Sequence, residues 1–450
     1  MKQIWRGNSW KREETILKIK LWRLKRKKKM IIREIAGIQK LQAGGGGHIL
    51  FVGQTGTGKT LAVERTQEEE HKTGKLMVII ENAKSNLESG FCNLTLQERY
   101  KYHLDKLKFQ GETPQKKDIK IYHLNNNIPT YKKIPETKIW TMNIKHIDRL
   151  LTSYLFEESS ESSSISILNT AIERLKDNEG FFDLFMKLKK GDIKAEKDLF
   201  SLESKASSIN FNTILNYLSR FRDQAILMPN NYEKNLDIVK ELGEQKPYHI
   251  FSNRYIADSK VRDLATLYLL NEIRKAKAQG LIKREIVIVL DELKTLAPNN
   301  PLFNHQKILS KLLTEILSVC RSLGITIIGA TQLYGEIDSG VRQSFSEVLL
   351  GRTTALSELK EISSIVGFDY SMRQMIMELE FNQFTFLSQE YNRMGTWHFH
   401  LPRHAHAERN LVFDRLFEKE YPDKMKNYKD EVKDIMSNFK MQEERVRGSL

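Results

Sequence analysis

Cysteine is scarce in this chain, which holds only Cys92 and Cys320 in 450 residues. The two lie far apart and belong to no metal-ligand spacing, so they argue against a disulfide scaffold and fit a reducing compartment. Long apolar runs are also lacking, since none approaches the roughly 18 residues that a membrane-spanning helix needs. The N-terminus lacks the apolar segment of a secretory signal. These absences favour a cytoplasmic protein without an integral membrane segment.

Positive charge is unevenly distributed along the chain, whose net charge is +15. Residues 1–40 contain 14 Lys and Arg but three Asp and Glu, and therefore carry most of this excess. The densest part of this basic arm predicts contact with nucleic acid phosphates. Its candidate DNA-binding residues are Lys25, Arg26, Lys27, Lys28 and Lys29. Two alternatives stay open: a solvated helix face, or an amphipathic helix against an anionic membrane surface or a partner protein.

The most informative segment is a glycine-rich loop that fits G-x-x-x-x-G-K-[ST] at every fixed position. Its residues, with the first one of the helix predicted after it, are Gly53, Gln54, Thr55, Gly56, Thr57, Gly58, Lys59, Thr60 and Leu61. An apolar run at 48–52 predicts a buried strand before the loop, so strand, loop and helix stand in the order that a phosphate-binding loop requires. Lys59 would reach the β- and γ-phosphates of ATP, and Thr60 would bind Mg²⁺.

A second motif is the apolar run 286–290, which predicts a central parallel strand and ends in two acids. Asp291 at the strand end would hold the Mg²⁺ or its water, and Glu292 would orient and deprotonate the attacking water. The alternative role of these carboxylates is helix capping. Together with the upstream loop, this motif predicts an ATPase site.

A third segment predicts a helix that ends near Arg321, followed by a buried strand that ends before Gln332. Ligands of parallel α/β sheets lie at the carboxyl ends of the strands, so Gln332 would sense the γ-phosphate or the attacking water. Arg321 would lie at the surface and stabilise charge on the nucleotide of a neighbouring subunit. The alternatives are a surface salt bridge for Arg321 and a turn residue for Gln332.

The alternation of strands and helices predicts an α/β fold: a P-loop NTPase of the RecA-like kind. Its sheet would be mostly parallel, with helices on both faces and an inserted, mostly α-helical region. We predict a basic arm at residues 1–43 and a P-loop core in two parts, 44–93 and 245–407. A helical insertion at 94–244 would separate the two parts of the core, and a charged helical tail would follow at 408–450.

The chain resembles the HerA/FtsK superfamily of DNA-translocating ATPases in the order of five segments: HILFVGQTGTGKT, LMVIIENAKSNLESG, IVIVLDELKTLAP, VCRSLGITIIGATQ and VLLGRTT. Within this superfamily it is similar to HerA-like proteins and to the coupling ATPases of conjugative type IV secretion. The resemblance covers roughly residues 44–93 and 245–403. Where members usually carry Asp after the second strand, this chain has Glu81-Asn82-Ala83-Lys84.

The resemblance implies a homo-oligomeric, hexameric ring with ATP between subunits and DNA in the central pore. Lys59, Thr60, Asp291, Glu292 and Gln332 fall on the family's catalytic positions, and Arg321 on a position that several members use in trans. Arg352, at another strand end, is a second candidate for that role. Partners would include secretion, relaxase or packaging proteins. The absence of the usual N-terminal transmembrane helices or β-barrel predicts a reduced motor from a mobile element.

Three other functions compete with the motor. An ATPase of the AAA+ or replication-initiator kind would carry a helical lid with its own sensor arginine. A nucleotide switch would recruit proteins to DNA without moving it, and a protein-export motor would move polypeptide.

The histidines 398, 400, 404 and 406 form H-x-H-x-x-x-H-x-H. This pattern is compatible with a metal site, but it equally fits a strand with one polar face.

Overall fold

The fold is given by a computed structural model. It describes residues 32–35, 47–82, 101–115, 117–124, 137–147, 151, 154, 162–176, 183–184, 214, 216, 227–228, 236–243, 248–253, 256, 258–366, 370–388, 393–404 and 437. The basic residues 25–29 and the tail from 408, apart from residue 437, lie outside these ranges, as does most of the predicted insertion.

The described part of the chain is built around one large sheet and a separate two-stranded pair. The strands are β1 (Ile32–Ile35), β2 (His48–Val52), β3 (Leu76–Glu81), β4 (Ile119–Leu124), β5 (Thr137–Trp140), β6 (Met142–Asn143), β7 (Leu227–Met228), β8 (Tyr248–Ser252), β9 (Ile286–Leu290), β10 (Ile325–Thr331), β11 (Phe345–Leu350), β12 (Gln383–Ser388) and β13 (Arg393–Phe399).

The large sheet has the strand order β1-β13-β12-β11-β2-β10-β9-β3-β8-β4-β5, and β6 pairs with β7. Within it, β12 pairs antiparallel with both of its neighbours, and every other pairing is parallel. The strands at the centre are mostly apolar and are buried along their whole length, as sheets covered on both faces require. The carboxyl ends of β2, β10, β9 and β3 therefore meet at one edge of the sheet.

The helices connect these strands and cover both faces. They are α1 (Lys59–Lys72), α2 (Lys101–Phe109), α3 (Ser162–Glu173), α4 (Ile238–Gly243), α5 (Ser259–Ala278), α6 (Leu293–Leu296), α7 (Asn304–Cys320), α8 (Ser339–Gln343), α9 (Leu356–Val366) and α10 (Tyr370–Met377). No described helix combines the length and the hydropathy that crossing a bilayer requires.

Two hydrophobic clusters lie on opposite faces of the sheet because successive strand residues point to opposite sides. On one face, Ile49 and Phe51 pack with Ala62 of α1. On the other, Leu50 and Val52 belong to a larger cluster that includes α5 and α7. Each face thus has its own helical layer, and α1 crosses over the strands whose ends carry the predicted site.

The predicted fold class is confirmed: the sheet is mostly parallel and has helices on both faces. The strands predicted at 48–52 and 286–290, and the buried strand predicted to end before Gln332, are present as β2, β9 and β10.

The sheet extends into two stretches that were predicted to lie outside the core. Strand β1 lies within the predicted basic arm and pairs with β13. Strands β4 and β5 fall within the predicted insertion and continue the sheet beyond β8. The domain boundaries themselves stay a prediction.

Candidate nucleotide-binding site

The glycine-rich loop connects β2 to α1 at the carboxyl edge of the sheet. It is anchored where Gly53 donates its backbone N–H to Thr331 O at 3.2 Å, and it turns where Thr57 N–H donates to Gln54 O at 3.3 Å. Gly56 and Gly58 have φ values of 85° and 88°, a conformation that side chains disfavour. Thr55 and Gly56 are exposed at the tip, so the loop is open to a ligand.

The loop leads directly into the N-terminus of α1. Gly58 caps this 14-residue helix and supplies no side-chain acceptor for its first amides, which suits them to an anion. Lys59 is 7% exposed and donates from Nζ to Gly53 O at 3.3 Å, so its ammonium group lies against the loop. Thr60 and Leu61 are half-buried in the first helical turn. These residues fit a bound triphosphate.

The two acids after β9 have different environments. Asp291 is half-buried, and its Oδ1 accepts a hydrogen bond from Glu292 N–H at 3.0 Å. Glu292 is buried and has a left-handed backbone with φ of 53°. For a residue other than glycine this conformation costs about 1–2 kcal/mol, and strain of this kind clusters at functional sites. Glu292 precedes α6 but its side chain makes no cap hydrogen bond, so capping does not explain the residue.

The sheet brings most of the predicted site residues to one edge. Strand β10 lies between β2 and β9, with Thr331 paired to Val52 and Gly329 paired to Leu290. Gln332 directly follows β10 and is half-buried beside the loop. Because adjacent strands lie about 4.8 Å apart, Gln332 and Asp291 come within reach of one ligand at the loop.

The two candidate arginines lie at opposite edges of the sheet. Arg321 precedes β10, so the length of that strand separates it from Gln332 by roughly 20 Å. It is exposed and lies near His48 at the start of β2. Arg352 is also exposed, but it follows Gly351, whose N–H donates to Val52 O at 2.7 Å beside the loop. Arg321 therefore cannot reach a nucleotide bound to its own chain.

Thr60 and Asp291 are the residues that would hold Mg²⁺, since a hydroxyl and a carboxylate are ligands that this ion prefers. Glu64 follows Thr60 by one helical turn, and both of its carboxylate oxygens are buried without a hydrogen-bond partner among the described residues. Burial raises the pKa of Glu64 to about 7, Lys117 opposes the increase, and Glu68 and Asp291 add to it. Helix α1 packs against β10 and β3, the two strands that flank β9, and therefore faces the end of β9.

Two residues that sequence reasoning missed also contact the loop. Asn382 donates its backbone N–H to Thr57 O at 2.9 Å, and Thr353 Oγ1 accepts from Gln54 Nε2 at 3.5 Å. Thr353 belongs to the segment VLLGRTT, but the sequence assigned it no role, and Asn382 belongs to no recognisable motif. The contact of Asn382 with the loop depends on the pairing of distant strands.

Beyond its first turn, α1 carries a buried ionic network. Arg65 donates two hydrogen bonds of 2.5 Å to the Glu112 carboxylate, and Arg403 binds Glu68 at 3.1 Å and Glu69 at 2.5 Å. Burial alone would raise the pKa of Glu68, but the neighbouring cations and hydrogen-bond donors hold it at about 2. The network joins the helix that begins at the loop to the segment after β13.

The histidine pattern is accounted for in part by the same network. His400 Nδ1 lies 3.2 Å from Glu112 Oε1, and His404 contacts Glu68. His406 lies outside the described residues. No group of three or more His, Cys, Asp or Glu that could hold a metal ion is found in the part of the chain that the structure describes.

Comparison of the sequence with protein-family models gave no match, and neither did comparison with curated proteins. Solved structures do match the fold. VirB4 of Thermoanaerobacter pseudethanolicus is 11% identical, with 81% of this chain and 91% of that chain covered and a TM-score of 0.47. A sulphate complex of the bacterial conjugative coupling protein TrwB is 11% identical, with coverages of 84% and 92% and a TM-score of 0.49.

The genome packaging NTPase B204 from Sulfolobus turreted icosahedral virus 2, in complex with AMPPCP, is also 11% identical, with coverages of 78% and 96% and a TM-score of 0.35. A conjugative coupling protein is thus among the solved structures similar to this chain, as the order of the motifs predicted. Because the TM-scores lie below 0.5, the assignment to the P-loop NTPase fold rests on the strand order and the loop of this chain itself.

Proposed function

We propose that this chain is an ATP-hydrolysing motor that moves DNA and works as a ring of identical subunits. The observation that carries the proposal is the meeting of Lys59, Asp291, Glu292 and Gln332 with the glycine-rich loop at one edge of a parallel sheet. A loop alone would support nucleotide binding. A loop with two acids at the end of a nearby strand of the same sheet supports hydrolysis.

Each residue of this edge has a defined task in the proposed reaction. The loop amides and Lys59 bind the phosphates, and Thr60 and Asp291 hold Mg²⁺, which when bound supplies positive charge that offsets that of the phosphates. Glu292 orients a water molecule and accepts its proton, and Gln332 positions that water against the γ-phosphate.

The ring and the DNA rest on further observations. Arg321 is exposed at the edge opposite the loop, so it would act on ATP held by a neighbouring subunit. The basic arm, which carries most of the net charge of +15, would contact DNA phosphates.

Hydrolysis of ATP with and without DNA tests the proposal. Lys59→Ala should abolish hydrolysis, whereas Lys72→Ala at the far end of the same helix should leave it unchanged. Glu292→Gln should bind ATP and stop turnover, whereas Glu285→Gln at the opposite end of β9 should turn over normally. If Glu292→Gln hydrolysed ATP at the parent rate, Glu292 would not be the base.

Two further measurements separate a motor from a nucleotide switch. DNA should stimulate hydrolysis, and the protein should displace a bound block from long duplex when ATP is supplied. A switch would bind DNA without displacing the block. Electron microscopy with DNA and a non-hydrolysable ATP analogue should show a closed ring around the nucleic acid, and an active monomer indifferent to DNA would refute the proposal.

A further inference from the structure

The turn before β12 places a buried asparagine against the phosphate-binding loop. Asn382 is 1% exposed and has φ of 63°. Among the described residues other than glycine, it shares a positive φ with Glu292 alone. Asparagine tolerates this conformation better than most residues do, but it still requires support from its surroundings.

That support comes from β13, the last strand in chain order. Asn382 Nδ2 donates to Phe399 O at 2.6 Å, and Asn382 O accepts from Phe399 N–H at 3.0 Å. The side chain and the carbonyl of Asn382 therefore both hold the end of β13. The backbone N–H of Asn382 donates to Thr57 O at 2.9 Å.

This last bond has a consequence for the loop itself. A peptide unit is planar and trans, so the carbonyl of one residue and the N–H of the next point in opposite directions. Because the Thr57 carbonyl is directed at Asn382, the Gly58 N–H is directed away from it. Gly58 immediately precedes α1, whose N-terminal amides would receive an anion, so an amide directed away from Asn382 is available to the same anion.

The same turn also packs closely against Gly58. A Cβ atom on Gly58 would lie 2.9 Å from Asn382 Oδ1, 3.0 Å from its N and 3.1 Å from its Cα. Asn382 Oδ1 is buried and has no hydrogen-bond partner among the described residues. Gly58 and Asn382 thus lie so close together that a side chain at position 58 would clash with the turn.

We propose that Asn382 is a positioning residue of the nucleotide site: it orients the Thr57–Gly58 peptide so that the Gly58 amide donates to a phosphate of the bound nucleotide. The inference rests on the proposed function, because it requires a nucleotide in the loop. It adds a residue of the antiparallel strand region to a site otherwise built from the ends of parallel strands.

Binding of ADP in the absence of Mg²⁺, followed with a fluorescent ADP analogue, tests this role without hydrolysis. In Asn382→Ala the left-handed backbone is strained and the side-chain anchor is lost, so the affinity for ADP should fall about tenfold. Asn382→Gly keeps the backbone geometry and the N–H donor, so it should recover most of the affinity, to within about threefold of the parent.

Gln383→Ala is the matched control. Gln383 is the first residue of β12, directly after Asn382, and its Oε1 accepts from Glu380 N–H at 3.0 Å, without a hydrogen bond to the loop. The Gln383→Ala variant should have a lower melting temperature than the parent, as Asn382→Ala should, but it should bind ADP with the affinity of the parent. A purely structural role for Asn382 would lower the melting temperature alone.

The inference is overturned if Asn382→Ala binds ADP within twofold of the parent, or if Gln383→Ala weakens binding as much. It is also overturned if Asn382→Gly binds no better than Asn382→Ala. A parent protein that does not bind ADP at all would refute the proposed function as well, so the two failures are distinguishable.

Discussion

Gly56 and Gly58 lie two residues apart in the same loop and have nearly the same backbone conformation, with φ of 85° and 88°. Their surroundings differ. A Cβ on Gly56 would meet nothing within 4 Å, whereas a Cβ on Gly58 would lie 2.9–3.1 Å from three atoms of Asn382. Substitution by alanine therefore separates the cost of the backbone conformation from the cost of crowding.

The magnitudes follow from these two environments. A left-handed conformation costs alanine about 1–2 kcal/mol, and the lower entropy of the unfolded chain returns about 0.4–1 kcal/mol. Gly56→Ala should therefore reduce the free energy of unfolding by about 1 kcal/mol. Gly58→Ala bears the same cost and adds about 1–3 kcal/mol of overpacking, because two of the three crowded atoms belong to the Asn382 backbone and cannot rotate away.

The assay is urea unfolding of the nucleotide-free proteins, followed by tryptophan fluorescence. Trp397 is a suitable reporter because its ring stacks on Phe386 at 4.3 Å between centroids, in the two strands next to the Asn382 turn. The comparison uses the difference between the two variants, since the unfolded-state term is the same in both and cancels.

Equal destabilisation by Gly56→Ala and Gly58→Ala would refute the reasoning. It would mean that the loop and the turn can move apart freely, so that close packing against Asn382 would not restrict Gly58. Greater destabilisation by Gly56→Ala than by Gly58→Ala would contradict the open surroundings of Gly56 and the crowded surroundings of Gly58.

Three more predictions follow from the structure. Arg321→Ala should lower ATP hydrolysis, and mixing it with Glu292→Gln subunits should restore part of the rate if the arginine acts in trans. Burial raises the pKa of Asp263 from 3.8 to about 7, so between these pH values the folded protein binds a proton that the unfolded chain releases. The free energy of unfolding therefore falls as the pH rises through this window, by roughly 4 kcal/mol at most. Asp263→Asn should remove this loss, so in urea titrations the variant should be more stable than the parent at pH 8 but not at pH 4. Arg403→Ala should cost about 3–5 kcal/mol of unfolding free energy because it leaves buried carboxylates of α1 unpaired, whereas Lys72→Ala, which removes an exposed partner of the same network, should cost about 1 kcal/mol or less.

Each of these predictions has an outcome that contradicts it. The absence of any rescue in mixed assemblies would count against a trans role for Arg321. A parent and an Asp263→Asn variant with parallel stability curves between pH 4 and pH 8 would show that the carboxyl is ionised when folded. Similar losses in Arg403→Ala and Lys72→Ala would show that the buried part of the network does not stabilise α1.

The local parts of the fold and the site were predictable because their signals lie in adjacent residues. The glycines and Lys59 of the loop, and the apolar strand before Asp291, are short patterns whose structure depends on backbone sterics and on burial. The structure places these elements as predicted. The roles of the residues within them stay predictions until the variants are measured.

The contacts of Asn382 and Thr353 with the loop, and the network around Arg65, were not predictable from patterns. They join segments far apart in sequence, and such contacts exist only once strand order and register are set. The same reason explains why β1, β4 and β5 were not assigned to the core sheet: their short apolar runs do not specify a partner strand.

By itself, then, the sequence determined that this chain has a phosphate-binding loop between a buried strand and a helix, and a second buried strand that ends in two acids. Tertiary structure alone decided that these ends meet at one edge, that Arg321 lies at the other, and that a distant asparagine contacts the loop. The physical reason is that backbone conformation and burial act over a few neighbouring residues, whereas the pairing of parallel strands joins residues whose separation along the chain carries no local signal.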